Sequence, residues 1–168
     1  MYLATSANGS ISNKRNVPDW LSNEYGEGLY GISQRTKAVI MGKTTYNIIA
    51  PDYLPLKDSG TLVVMTHRTD MSGAQPNVNF TDKTPGEIAT MLESQGYSEA
   101  VIIGGTAVVS EFMRAGLVDD LILVVEPVLF GEGLPLLKNV DGEYKMSLQD
   151  VRKLNDNTVQ LHYSLSTD

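Results

Sequence analysis

The sequence offers its clearest chemistry where an apolar run ends in a glycine, a cation and hydroxyl groups. The run 38–41 is followed by Gly42, Lys43, Thr44 and Thr45. A glycine there lets a ligand approach the backbone, and a helix that starts just after it offers free N–H groups to phosphate. One interpretation is therefore phosphate capture, with Lys43 facing the anion. The alternative is a plain strand-to-helix turn that Thr44 caps, and the residues by themselves favour neither.

A second junction of the same kind follows the apolar run 100–103. Gly104 and Gly105 end that run, and Thr106 and Ala107 open a helical pattern. Paired glycines let a pyrophosphate reach the backbone, but they also occur in ordinary tight turns, so both interpretations stay open. The spacing matches neither the three-glycine dinucleotide fingerprint nor a P-loop.

A third strand end places a hydroxyl, an imidazole and a guanidinium side by side. Thr66, His67 and Arg68 follow the apolar run 61–65. The Arg68 guanidinium is suited to stacking on an adenine or to holding a phosphate in a bidentate pair. The alternative is a solvated loop after a strand, which is the more common outcome for such residues taken alone.

Composition excludes several other kinds of site. The chain has no cysteine, and its two histidines, His67 and His162, lie on well-separated elements, so we expect no metal centre. The segment 31–35 begins like a nucleophile elbow but lacks the closing glycine, which disfavours serine hydrolysis. A formal net charge of −7 disfavours nucleic acids and anionic membranes as partners. The sequence has neither a signal-like nor a membrane-spanning apolar segment, so we expect a cytoplasmic protein.

The elements that must position these groups form an alternating α/β pattern. Short β-rich runs, typical of strands covered on both faces, occupy 2–7, 38–41, 61–65, 100–103 and 121–128. Thr84 and Glu87 form a capping box that predicts a helix ending at Gly96. The segment 106–115 predicts a second helix, which packs on the sheet.

Both ends of the chain carry further elements. The segment 16–19 (Asn-Val-Pro-Asp) predicts the start of a helix that three later glycines weaken or interrupt. The segments 144–151 and 158–166 predict an antiparallel hairpin. A length of 168 residues predicts a single domain, 1–168.

Taken together, these motifs resemble the dihydrofolate-reductase-like superfamily. The residues that carry the resemblance are 41–46, 102–107 and 116–131, in that order along the chain. Within the superfamily, they are most similar to the branch of the C-terminal reductase domain of the bifunctional riboflavin enzyme. The resemblance implies a three-layer α/β/α fold, with a mostly parallel central sheet and an antiparallel C-terminal hairpin.

The resemblance also implies NADPH as the cofactor. It assigns the adenosine phosphates to Gly42, Lys43, Thr44 and Thr45, and the adenine with its 2′-phosphate to Thr66, His67 and Arg68. It assigns the pyrophosphate to Gly104, Gly105, Thr106 and Ala107, and the nicotinamide to the neighbourhood of Ala4 and Ile11. Relatives usually have arginine where this chain has Lys43. Because lysine keeps the charge, we expect NADPH to be preferred over NADH.

On the substrate side, the resemblance implies a carboxylate that helps to deliver a proton. Asp19 is the predicted catalytic residue, because it follows the helix-start signal. Glu24, Glu27 and water are the alternatives, since Asp19 lies 23 residues before Gly42, farther than in dihydrofolate reductases.

The expected activity is hydride transfer from NADPH to a small pteridine or pyrimidine-type substrate, as in 5-amino-6-(5-phosphoribosylamino)uracil reductase. Two alternatives are a true dihydrofolate reductase and a nucleotide-binding module without catalytic activity. Beyond a small-molecule substrate, the family implies a homodimer formed through the C-terminal strands.

Overall fold

The fold combines two four-stranded sheets, one two-stranded ribbon and four helices among the residues that the structure describes, which are 1–50, 53–56, 60–68, 70 and 75–165. The structure is a computed structural model. Its strands are β1 (Tyr2–Ser6), β2 (Ser10–Asn13), β3 (Ala38–Gly42), β4 (Thr61–Met65), β5 (Val78–Thr81), β6 (Val101–Ile102), β7 (Asp120–Glu126), β8 (Gly133–Pro135), β9 (Met146–Lys153) and β10 (Val159–Leu165). Its helices are α1 (Asn23–Thr36), α2 (Lys43–Ile49), α3 (Pro85–Ser94) and α4 (Thr106–Arg114).

The strand order confirms the predicted fold class. One sheet has the order β5-β4-β3-β6 and is parallel throughout. The other has the order β1-β7-β10-β9, in which β1 and β7 are parallel and the C-terminal strands β9 and β10 form the predicted antiparallel hairpin. The strands that were predicted to form one mostly parallel sheet therefore lie in two separate sheets. Ser166, the predicted end of the hairpin, lies outside the described residues.

Helices cover both faces of the parallel strands. On one face, Val39 and Met41 of β3 pack in a core cluster with Tyr25 of α1 and Tyr46 of α2. On the other face, Ile40 packs with residues of α3 and α4. This alternation explains why the strands appear in the sequence as short continuous apolar runs instead of alternating patterns.

The start of α3 confirms the predicted capping box. The Thr84 hydroxyl accepts a hydrogen bond from the backbone N–H of Glu87, and the Glu87 carboxylate accepts one from the backbone N–H of Thr84. The backbone N–H and the hydroxyl of Thr84 both donate to the Glu87 carboxylate, and these two hydrogen bonds hold the pKa of Glu87 below its usual value. Pro85 occupies the first turn, where its missing N–H costs nothing.

The prediction that a helix starts at 16–19 is wrong, because α1 begins at Asn23. The side chain of Asn13 accepts hydrogen bonds from the N–H groups of Arg15 and Val17, which holds the chain in a loop. Ser22 then caps α1 by accepting from the N–H of Tyr25. The cap therefore lies six residues after the start that the sequence predicts.

The glycines of α1 do not interrupt the helix, contrary to the prediction. One of them has a packing role, because a Cβ atom on Gly28 would lie 2.1 Å from the hydroxyl of Tyr2. The helix can approach β1 only because this position has no side chain. The packing against β1 offsets the cost of glycine in a helix, which is about 1 kcal/mol per residue.

Two short strands were not predicted. β2 and β8 pair in antiparallel orientation, and a Cβ atom on Gly133 would lie 2.6 Å from the carbonyl oxygen of Ser12. Strands of three and four residues leave too short a pattern to be recognised. None of the helices in the described part of the chain has the length and apolar character needed to cross a membrane.

Candidate active site

A large cleft opens where β3 and β4 reach their carboxyl ends. It has a volume of about 1370 Å³ and includes Gly42, Thr66 and Ile103 in its lining. Pockets for one small molecule usually measure about 300–1,000 Å³. The cleft therefore has room for a cofactor and a substrate together, and its position matches the usual ligand site of open α/β sheets.

The structure brings the two glycine junctions together in this cleft. The N–H of Gly42 donates to the carbonyl oxygen of Gly104 over 2.8 Å. A Cβ atom on Gly42 would lie 3.2 Å from Cγ2 of Val108 and 3.7 Å from the nitrogen of Gly105. Gly104 has a φ of +125°, a conformation that side chains disfavour, and a cis peptide joins it to Gly105. Glycine is thus required for the two turns to meet.

The donors around this junction suit a pyrophosphate. Gly105 is the N-cap of α4 and provides no side-chain cap, so the first N–H groups of the helix are left for a ligand. Thr45 lies beside both turns, with its Oγ1 atom 3.5 Å from the position of a Cβ atom on Gly105. Thr44, Thr106 and Ala107 complete the lining there. The residues present therefore fit the phosphate groups of a dinucleotide.

Lys43 is held between two aromatic rings. Its Nζ atom lies 4.9 Å from the ring centroid of Tyr46 and 4.7 Å from that of Phe80. The two rings meet edge to face, 5.2 Å apart. A cation over two ring faces is stabilised electrostatically while its stem lines the cleft. The sequence predicted the cation but not this aromatic support.

The third predicted strand end is only partly in the cleft. Thr66 and His67 line the cleft. Arg68 is not among its lining residues, and its Nε atom lies 3.9 Å from the carboxylate of Asp70. Its side chain is 77% exposed. In this conformation, Arg68 does not contribute to the site, and its role in binding adenine stays a prediction.

The cleft has two chemically different sides. We call one side of the cleft the α1 side, which is formed by β1, β2, the loop before α1, α1 and the end of α2. The other residues that line the cleft form the α4 side. The predicted residues Ala4 and Ile11 lie on the α1 side. The lining residues of the α1 side are Leu3, Ala4, Ile11, Ser12, Asn16, Val17, Pro18, Trp20, Leu21, Ser22, Tyr25, Gly26, Leu29, Ile48, Ile49 and Tyr53.

None of the three carboxylates predicted as proton donors lines the cleft. Asp19 lies in a turn, is exposed, and accepts a hydrogen bond from Arg15 over 3.1 Å. Glu24 accepts from the side chain of Asn155 over 2.9 Å. Glu27 is exposed on α1. Water is the proton source among the predicted alternatives that this arrangement favours.

Glu126, at the end of β7, was not among the functional residues predicted from the sequence. In the structure its side chain is buried, with 1% exposed. One carboxylate oxygen accepts from the backbone N–H of Ser22 over 3.0 Å and from its hydroxyl over 2.7 Å. The other accepts from the hydroxyl of Thr158 over 3.1 Å. The carboxylate thus fixes the start of α1 next to the cleft. Sequence offers no signal for this contact, because 104 residues separate the partners.

Tyrosines surround the α1 side. Burial raises the pKa of Tyr2 to about 12, and it raises the pKa of Tyr25 further. The hydroxyl of Tyr53 is enclosed and has no hydrogen-bond partner among the described residues, and burial raises its pKa too. All three phenols are therefore neutral hydrogen-bonding groups near neutral pH.

Sequence reasoning also missed several charged residues of the α4 side. They come from the turn before α3, from α4 and from the segment after β8. These residues are Asp82, Lys83, Glu111, Arg114 and Lys138. Lys83 follows β5 at the same sheet edge as the predicted junctions, so its position after a strand was a usable signal.

Across the described residues, no group of three or more histidine, cysteine or acidic side chains is arranged to hold a metal ion.

Several known proteins have related sequences and folds. The protein YwjB of Bacillus subtilis (strain 168), named as uncharacterized, is 32% identical over 169 residues, which cover 97% of this chain and 95% of YwjB. A pyrimidine reductase-like protein from Corynebacterium diphtheriae has a similar fold, with a TM-score of 0.81, 15% identity, and coverage of 99% of this chain and 90% of its own.

A longer protein shares the same fold. It is the diaminohydroxyphosphoribosylaminopyrimidine deaminase/5-amino-6-(5-phosphoribosylamino)uracil reductase of Thermotoga maritima, with a TM-score of 0.78 and 17% identity. The match covers 98% of this chain but 55% of that one. The family profile of the RibD C-terminal domain matches residues 1–160. This profile match and the similarity to YwjB establish that the chain belongs to the RibD C-terminal domain family, within the dihydrofolate-reductase-like superfamily.

Proposed function

We propose that this protein is an NADPH-dependent reductase of a small molecule. The observation that carries the proposal is the joined pair of glycine turns at Gly42 and Gly104, beside the uncapped start of α4 and the cation of Lys43. Membership of a family whose relatives include reductases supports the same reaction class. The protein's own part is mostly binding and orientation.

The cofactor would lie along the α4 side, with its nicotinamide beside Ala4 and Ile11. When bound, reduced nicotinamide supplies a hydride to the carbon of a C=N or C=O bond, while the heteroatom of that bond takes up one proton. The α1 side would hold the acceptor at that point. Because no predicted carboxylate lines the cleft, we propose that the proton comes from water.

A preference for the phosphorylated cofactor depends on Lys43 in this proposal. The resemblance assigns the 2′-phosphate, which NADH lacks, to Thr66, His67 and Arg68, but Arg68 does not line the cleft. We therefore propose Lys43, a compact cation in the cleft lining, as the partner of the 2′-phosphate. A hydrogen bond to a charged group contributes about 1.5–3 kcal/mol, which corresponds to roughly ten- to hundredfold in affinity. Lys43→Ala should therefore weaken NADPH binding by about that factor and leave NADH binding nearly unchanged.

The test is a thermal-shift titration of the full chain with NADPH, NADH and NADP⁺, since a ligand that binds only the folded state raises the melting temperature. We expect a larger shift with NADPH than with NADH in the parent protein and in Lys145→Ala, which changes an exposed lysine away from the cleft. Lys43→Ala should lose the difference. No shift with any of the three would refute the proposed cofactor and leave only a shared fold.

We also propose a homodimer formed through β9, which is an edge strand. Its side chains Met146, Leu148 and Val151 are 43%, 55% and 53% exposed, which is unusual for large apolar residues on one strand. Light scattering should give a dimer for the parent and a monomer for Leu148→Lys. A monomeric parent would refute this pairing.

The proposed compartment is the cytoplasm, because a chain without cysteine suits a reducing environment.

A further inference from the structure

The described residues that line the α1 side of the cleft include no charged group with which to bind a substrate anion. Among the described residues that line the cleft, every charged side chain belongs to the α4 side. The α1 side presents rings and aliphatic chains instead, including Trp20, Tyr25, Leu29 and Ile48. Trp20 also packs edge to face on Phe130, at 5.2 Å between ring centroids, so an aromatic contact supports this wall from behind.

The polar groups on the α1 side are neutral, and two of the serine hydroxyls already donate hydrogen bonds within the protein. The Ser22 hydroxyl donates to the carboxylate of Glu126. The Ser12 hydroxyl lies 3.0 Å from the side-chain oxygen of Asn16. Tyr53 contributes a phenol whose hydroxyl has no partner in the described part of the chain. None of these groups carries a charge, so none of them can neutralise an anion.

The surroundings of the α1 side disfavour an anion further. Arg15, in the adjoining loop, is ion-paired with Asp19, and its side chain is 70% exposed. The carboxylate of Glu126 lies directly behind Ser22. The chain as a whole has a net charge of −7. A phosphate that entered the α1 side would lose hydration without gaining a cationic partner, which is unfavourable.

We propose that the substrate is an uncharged, flat aromatic or heterocyclic compound with a C=O or C=N bond and no phosphate group, held against Trp20 and Tyr25 on the α1 side. This inference rests on the proposed reductase function and names its substrate class. The class differs from that of the Thermotoga maritima reductase, which is named for a phosphoribosyl substrate.

A matched pair of probes tests the inference by direct binding. The probes are 5-amino-6-(5-phosphoribosylamino)uracil and the same compound without its phosphate, with 9,10-phenanthrenequinone as a second uncharged ligand. Calorimetry on the full chain saturated with NADP⁺ gives affinities, and Trp20, the single tryptophan of the sequence, reports occupancy of the α1 side by its fluorescence. We expect at least about tenfold tighter binding without the phosphate, because an anion there has no cationic partner. Equal or tighter binding of the phosphorylated probe, or no binding of either uncharged probe, would overturn the inference.

Two glycines of α1 offer a matched pair of added charges. A Cβ atom on either Gly26 or Gly31 would meet no atom within 4 Å, but only Gly26 lines the cleft. Gly26→Lys should therefore strengthen binding of the phosphorylated probe by about tenfold or more, as a hydrogen bond to a charged group does. Gly31→Lys should not change it. An equal response of the two variants would contradict the neutral α1 side.

The outcomes for the two proposals can be told apart. A protein that binds the uncharged probes but shows no thermal shift with NADPH would refute the reductase function and leave the α1-side assignment in place. A protein that shows the NADPH shift but prefers the phosphorylated probe would refute the substrate class alone.

Discussion

Removal of the buried carboxylate of Glu126 should destabilise the fold at the wall of the cleft. Glu126 is 1% exposed and accepts three hydrogen bonds, two from Ser22 and one from Thr158. Glu126→Leu has a similar volume but accepts none of them. Each buried donor left without a partner costs about 1–3 kcal/mol, although the two hydroxyl groups can turn toward other acceptors.

The expected loss is about 3 kcal/mol of unfolding free energy, because the backbone N–H of Ser22 cannot turn away and Thr158 is 3% exposed. For a chain of this size, 1 kcal/mol shifts the melting temperature by about 2–4 °C, so the decrease should be about 6–12 °C. Glu126→Gln retains one acceptor for Ser22 and should lose only about 1 kcal/mol.

Urea unfolding at neutral pH, followed by circular dichroism, measures these differences. Glu27→Leu is the matched control, since Glu27 is exposed on α1, and its unfolding free energy should stay within about 0.5 kcal/mol of the parent value. If Glu126→Leu also stays within about 0.5 kcal/mol of the parent, the three hydrogen bonds do not anchor α1 as argued.

Four further substitutions test three features of the structure. Thr84→Ala should remove about 1 kcal/mol from the unfolding free energy through loss of the α3 cap. Hydrogen bonds from Thr84 lower the pKa of Glu87, so the part of the cap made by the Glu87 carboxylate should be complete above the ordinary glutamate pKa and be lost as pH falls through the lowered value. Glu87→Gln should flatten this dependence in urea titrations. Asp19→Asn should keep turnover of any identified substrate within about twofold of the parent value, because this carboxylate lies outside the cleft lining. A much larger loss would support Asp19 as the proton donor. Phe80→Leu removes one cation–π contact of Lys43, so calorimetry should show NADPH binding weakened about two- to fivefold and NADH binding unchanged. An equal change for both cofactors would contradict this role of the Phe80 ring.

Elements fixed by local chemistry could be predicted from the sequence. The run 61–65 appears in the structure as β4 with the same bounds, and Thr84 and Glu87 form the predicted capping box. In both cases, the deciding interactions lie within a few residues of each other. The start of α1 was missed because its cap at Ser22 is held by Glu126, which lies 104 residues away along the chain.

The candidate site divides in the same way. Gly42 and Gly104 were recognised because a strand that ends in glycine carries a local signal. The support of Lys43 by Phe80 was not recognised, because that contact joins α2 to β5 through tertiary packing. Arg68 shows the converse, since its residue type suits a phosphate while its exposed side chain does not line the cleft.

Strand register explains why the two glycine turns form one site. β3 and β6 are parallel neighbours, with Val39 level with Val101 and Ile40 level with Ile102. Two residues beyond Ile40 and Ile102, both strands reach their glycines, so Gly42 and Gly104 meet and share a hydrogen bond. The equal distance from the last paired residue to each glycine is visible in the sequence. The sequence does not show that β3 pairs with β6, because β6 has only two residues and other predicted strands were equally suitable neighbours of β3.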